Sequence, residues 1–274
     1  MRPNPIAMRY FETYYYANVV DEMLTDVEPF LVNLNNWHVD RKEELFVRPF
    51  SRWSVLHDLS YFVIEELFQE RTRDIDMSEL ARDRTSRLWV EEAMRHHGQK
   101  VIPFRSWVKD AGIKPSKITE DHVHDYHQSL MESGELSALL EQLANEVFFL
   151  LFANRMLLAK LNHYISVAAR HIDAPDISDE YRCCLEANGT IKRVALPEWV
   201  KRAVFFRDRG KCASCNSDLS GILTAQPDRH YDHIVPLAEY GINDVTNIQL
   251  LCATCNRGKG RRRLAISDRY EPWY

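Results

Sequence analysis

Apolar residues along the first 172 positions recur at intervals of three and four. Leu56, Leu59, Val63 and Leu67 make one such stripe, and Leu136, Leu139, Leu140, Leu143, Val147, Leu150 and Leu151 make another. Stripes of this period are helical faces turned towards a core. The second stripe runs on through Phe152, Met156, Leu157, Leu161, Tyr164 and Ile165. It predicts one long helix from about Glu135 to His171, broken at most once. Breaks between helices are expected at Val101-Ile102-Pro103, from Gly112 to Pro115, and at Ser133-Gly134, where Pro and Gly interrupt the period. Past residue 172 the pattern changes. Asp173-Ala174-Pro175-Asp176 reads as a boundary, and Asn188-Gly189 as the turn of a short hairpin. Pro197 suits the first turn of a helix whose apolar face holds Trp199, Val200, Val204 and Phe205 and which ends near Gly210. From Cys212 the order is knuckle, strand, loop, strand, knuckle, helix. The expected fold class is α+β: a helical domain over 1–175, a linker with a hairpin over 176–195, and a small mixed domain over 196–274.

Composition narrows the function classes. At 45% hydrophobic and 27% charged, the chain has enough apolar surface to offset chain entropy, so disorder is not expected. The longest uncharged apolar run, Val147 to Ala153, is far short of the roughly 20 residues that cross a bilayer. The first 16 residues lack a charged segment followed by an apolar stretch and a small-residue cleavage site. A cytoplasmic protein with no membrane partner is the expectation. Net charge is −5 overall, but residues 192–274 hold 14 Lys/Arg against 9 Asp/Glu, leaving +5 there and −10 in the remainder. A basic C-terminal third beside an acidic remainder suits contact with phosphate in one part only.

Four of the six cysteines form two C-x-x-C pairs, Cys212/Cys215 and Cys252/Cys255, with 36 residues between the pairs. In a cytosolic protein this spacing reads as a metal site before disulfides. Four thiolates close a tetrahedral Zn²⁺ with no open position, which makes the ion structural. A redox C-x-x-C is the competing reading, and two copies bracketing one small module tell against it. Cys183 and Cys184 are adjacent and read as buried thiols in a strand. His96, His97, His122, His124 and His127 lie in acidic helical sequence and read as a solvated face rather than a second metal site.

Between the knuckles, "YDHIVP" places Asp232 beside His233. Asn247 precedes the second pair and Asn256 follows its last cysteine. This segment, about residues 197–263, resembles the HNH endonuclease family, a ββα-metal nuclease often wrapped in two C-x-x-C pairs. The family's last His is replaced here by Asn256, a familiar variant that also occurs in the HNH domain of the RNA-guided CRISPR nuclease. The resemblance implies a metal-dependent endonuclease acting on DNA. It implies His233 as general base and Asp232 with Asn256 as ligands of a single Mg²⁺ or Mn²⁺. Asn247 would orient His233 through the loop.

Residue chemistry agrees with those roles. A phosphodiester needs a base for the attacking water and a cation for the developing charge. Imidazole titrates near neutrality, and two hard oxygen ligands leave Mg²⁺ its waters and room for phosphate. Arg257, Lys259, Arg261, Arg262 and Arg263 would grip phosphates without reading sequence. Strand alternation sends neighbours to opposite faces, so Asp232 and His233 serve one site only if the strand bends or ends there, as Pro236 permits. The metal and base are expected to face a groove wide enough for a sugar–phosphate strand. Taken singly, each residue has a plainer reading: a surface ion pair, a turn Asn, a helix N-cap, a solvated basic tail. The helical front domain is expected to supply restraint, targeting or dimerisation through protein contact. In bacteria such fusions often serve anti-phage defence or restriction. The alternative is a non-catalytic zinc-dependent adaptor that binds nucleic acid or protein.

Overall fold

The computed structural model describes residues 7–40, 44–82, 85–172, 177–222, 228–260, 267–268 and 270. Helices account for most of the chain up to residue 172. They are α1 Thr13–Thr25, α2 Leu31–Asp40, α3 Glu44–Val47, α4 Val55–Arg73, α5 Met77–Arg82, α6 Trp89–His96, α7 Phe104–Asp110, α8 Glu120–Glu132, α9 Glu135–Leu151 and α10 Arg155–Ala168. The remainder carries α11 Asp179–Arg182, α12 Glu198–Arg207, strand β1 Arg229–His233, strand β2 Ile248–Cys252 and α13 Ala253–Lys259. The fold is α+β, with a helical N-terminal region and one small sheet among the described residues. No single described helix is long and apolar enough to cross a membrane.

The helical stripes bury as their period requires. Leu56, Leu59 and Val63 are enclosed on α4, and Leu136, Leu139, Leu140, Leu143 and Val147 are fully enclosed on α9. The long stripe after Glu135 does break once, at Phe152–Asn154. There Asn154 caps α10, its Oδ1 accepting from the Leu157 amide at 3.1 Å, which satisfies one of the orphan donors at a helix start.

The chain divides into two compact units. One comprises Met1–Val19 with Leu59–Phe148, the other Val20–Asp58 with Phe149–Tyr274. In the first unit Glu146 is fully buried. It accepts from the Arg9 amide at 2.7 Å, the Tyr10 amide at 3.0 Å and the Thr13 hydroxyl at 2.7 Å. Burial would raise its carboxyl, but a bond from His97 together with these three holds it below the usual range. His97 is buried against Glu146, His127 is buried elsewhere in this unit, and His122 caps α8 through Thr119. Of the expected solvated histidine face, His96 and His124 are exposed.

In the second unit the strands pair antiparallel, Asp232 opposite Gln249 and His233 opposite Ile248. Leu250, Leu251, Ile248 and Val245 pack with Val200 and Val204 of α12 and with Phe50. At the end of α12, Arg207 and Asp208 form a buried two-bond pair at 2.9 Å. Arg207 donates on to the Ile248 carbonyl and Asp208 accepts from the Leu250 amide. A buried pair needs partners for its remaining groups, and β2 supplies two of them, while Arg207 Nη1 is buried without one among the described residues. The Asn188-Gly189 turn forms, with Gly189 at φ +79°, but its arms reduce to the single bridge Leu185–Ile191. Cys183 and Cys184 differ from expectation: they lie in a turn after α11, Cys183 exposed and Cys184 half-buried.

Candidate functional site

The two knuckles converge. The sulfurs of Cys212, Cys215, Cys252 and Cys255 all lie within 4.8 Å of one another, and Cys215 Sγ is 3.8 Å from Cys252 Sγ. Tetrahedral zinc with bonds of about 2.3 Å sets its sulfurs about 3.8 Å apart. The first knuckle turns through Asn216 at φ +59°, a conformation Asn tolerates. The second turn is also a helix start: Cys252 Sγ accepts from the Cys255 amide at 3.4 Å. Burial raises the Cys212 thiol and pushes Cys255 up to about 12. Burial also opposes ionisation of Cys215, but bonds from Ser217 prevail and bring it to about 6.

β1 ends at His233, and its last two side chains diverge. Asp232 faces α13, where Lys259 Nζ is 2.5 Å from its Oδ2. Asn256 lies one turn before Lys259 on the same helix, and residues three apart share a face. His233 turns instead towards the loop after the 3₁₀ turn Leu237–Glu239, where its Nε2 lies 3.1 Å from Asn243 Oδ1. Asn243 Nδ2 donates to the Lys192 carbonyl at 2.7 Å.

Burial pushes the His233 imidazole down to about 4; the Asn243 bond and the Asp232 charge oppose this, and Arg193 and Lys259 reinforce it. The ring is therefore neutral at pH 7, and its Nδ1 is buried without a hydrogen-bond partner.

Asn247 is wholly buried. Its Oδ1 accepts from the Val235 amide at 2.8 Å, and its Nδ2 donates to the carbonyls of Val235 and Ile242 at 3.1 and 2.9 Å. It ties the two ends of the loop that follows His233. Gly241 lies inside the same loop, where an added Cβ would come within 2.0 Å of the Val235 carbonyl oxygen. Asp244, also buried, accepts from the Thr246 amide at 2.9 Å and from the Val55 amide at 3.2 Å, so the loop caps the start of α4.

Two expectations change. Lys259 is not a solvent-facing phosphate grip. It is 3% exposed, and its ammonium is used on Asp232 and on the His233 carbonyl at 2.7 Å. Its place in the last turn of α13 points it inward across the end of β1. The second change concerns the groove: His233 is 2% exposed, so the imidazole sits in a covered site rather than an open cleft. Arg257 is exposed, and Arg261, Arg262 and Arg263 lie outside the described residues. Sequence reasoning missed Asn243, Asp244 and the Lys192 carbonyl. Asn243 has no spacing signal of its own, since its partners lie 10 and 51 residues away.

A hairpin followed by a helix, with four clustered cysteines and with His at the end of the first strand, gives this segment a ββα arrangement. Residues 212–262 match the model of the HNH endonuclease family, so this part of the chain is similar to that family in sequence. No curated protein matches the chain, and no solved structure does.

Proposed function

We propose that this protein is a metal-dependent endonuclease that hydrolyses phosphodiester bonds in DNA. The observation that carries the reading is the neutral His233 ring at the end of β1, bonded at Nε2 and unpartnered at Nδ1. An unprotonated nitrogen with no protein partner is the acceptor that a general base needs for the proton of an attacking water.

Asp232 and Asn256 offer hard oxygen donors of the kind Mg²⁺ or Mn²⁺ prefers. The Lys259 ammonium lies 2.5 Å from Asp232 Oδ2 and fixes that carboxylate in place. These two residues would hold the ion, which supplies charge stabilisation at the scissile phosphate. His233 takes the proton, Asn247 and Asn243 position it, and Lys259 orients Asp232. The four cysteines would hold one structural Zn²⁺, and Arg257 with Arg261, Arg262 and Arg263 would contact phosphates.

On this reading residues 196–274 form the nuclease module and 1–175 restrain, target or dimerise it in the cytoplasm. One such site cuts one strand, so a double-strand break requires a homodimer or two encounters. Anti-phage defence or restriction is the role that family analogy supports.

A second reading has its own observation. The 2% exposure of His233 suits a non-catalytic zinc scaffold as well as a nuclease whose cover moves when DNA binds. Plasmid nicking with Mg²⁺ or Mn²⁺, with EDTA as control, separates them. The nuclease reading expects His233→Ala to abolish nicking while zinc content and circular dichroism stay unchanged. Wild-type protein that nicks no DNA with either ion would leave the scaffold.

A further inference from the structure

We infer that Asn243 is the residue that sets the tautomer of His233, holding hydrogen on Nε2 and leaving Nδ1 as the nitrogen that accepts a proton. The inference rests on the endonuclease reading for its catalytic consequence, but its structural half stands alone.

A neutral imidazole has one N–H and one acceptor nitrogen, and the partner of one ring atom decides which is which. An asparagine partner is ambiguous by itself, because its amide oxygen and nitrogen can be exchanged. Here a third group removes the ambiguity. The Lys192 carbonyl can only accept, and it lies 2.7 Å from Asn243 Nδ2. The amide must therefore present Nδ2 to Lys192 and Oδ1 to the ring. An oxygen 3.1 Å from Nε2 has no hydrogen to give, so Nε2 carries it.

The backbone supports the same pose. The Asn243 carbonyl accepts from the Phe50 amide at 2.7 Å, and Asn243 is 2% exposed. The neighbouring Asn247 does not do this work, because its side chain is spent on Val235 and Ile242. The tautomer is thus set by a contact that reaches Lys192, outside the family-matched residues 212–262. Asn243 is a positioning residue: it touches the base and not the substrate.

The test is the imidazole nitrogen spectrum of the full-length, zinc-loaded protein labelled with ¹⁵N-histidine. The His233 signals are assigned by their loss in His233→Gln. Wild type should show a single Nε2–H tautomer. Asn243→Ala should show averaged shifts from both tautomers, and single-turnover cleavage slowed roughly tenfold or more with DNA affinity unchanged. Asn243→Asp keeps an acceptor oxygen and should restore the single tautomer and much of the rate. An Nδ1–H signal in wild type overturns the inference, as does a single Nε2–H tautomer retained in Asn243→Ala. If Asn243→Ala loses zinc or helicity, wild type and Asn243→Asp decide: an averaged spectrum in Asn243→Asp would overturn it. Failure of the wild type to cleave DNA would sink the endonuclease reading and leave the tautomer result intact.

Discussion

Lys259 Nζ lies 2.5 Å from Asp232 Oδ2 and 2.7 Å from the carbonyl of His233. One ammonium at the end of α13 thus ties down both residues that close β1. Removing the cation leaves a largely enclosed carboxylate uncompensated. Lys259→Met should lower stability by about 3 kcal/mol and abolish nicking with zinc still bound. Thermal unfolding, zinc analysis and the nicking assay on one preparation check this. Unchanged nicking in Lys259→Met would show that Asp232 needs no partner to be placed.

A zinc ion held by the four converging sulfurs would be a folding element. Zinc bound at a closed thiolate site contributes its binding free energy to folding. The protein as isolated should carry one zinc per chain from this site. Cys212→Ser should cost most of the near-ultraviolet circular dichroism contributed by Trp199 and Tyr231, which pack on the module's core. Atomic absorption and near-ultraviolet spectra measure both. Full zinc loss with an unchanged spectrum would mean that the core stands without the ion.

Gly241 sits where any Cβ would strike the Val235 carbonyl oxygen, 2.0 Å away. Backbone cannot yield there as a flexible side-chain tip would, so Gly241→Ala must rearrange the loop between His233 and Asn243. Nicking should vanish while the cysteine cluster, at the other end of the hairpin, still binds zinc. Retained activity in Gly241→Ala would show that the loop tolerates a different path.

Asn247 makes three side-chain hydrogen bonds inside the module. Asn247→Ala leaves one amide and two carbonyls short of partners in a buried place, at a cost of about 1–3 kcal/mol for each group left unsatisfied. Denaturant unfolding should show a drop of several kcal/mol. A change below about 1 kcal/mol would mean that water replaces the amide without loss.

Acid should weaken the second unit through His57. Burial pushes this imidazole from its usual 6.5 down to about 3. Its Nδ1 accepts from the Ser54 amide at 3.1 Å, a bond that only the neutral ring can make. The unfolded chain binds the proton first, so His57 leaves stability independent of pH above about 6.5. Stability then falls with pH through the window between 6.5 and about 3 and levels off below it. Melting temperature against pH, compared with His57→Gln, measures the term. Parallel curves for the two proteins would assign the acid loss to other groups.

The sequence alone determined the parts whose signal is local. Helical stripes on α4 and α9, the Pro197 start of α12 and both knuckles follow from period and spacing over a few residues. So does the order strand, loop, strand, helix, because side-chain alternation and turn chemistry act between near neighbours. The cysteine cluster was legible for the same reason: two short turns each bring their own pair of thiols.

Tertiary structure decided what depends on distant partners. It put residues 20–58 in one compact unit with 149–274, capped α4 with Asp244, and turned Lys259 inward onto Asp232. It also brought the Lys192 carbonyl to Asn243, 51 residues along the chain, and through it to His233. No period encodes such pairs, since each bond forms only after packing has placed its donor and acceptor and closed them off from water. The burial of His233 has the same origin: the imidazole's identity is written in the sequence, but its surroundings come from packing by other segments.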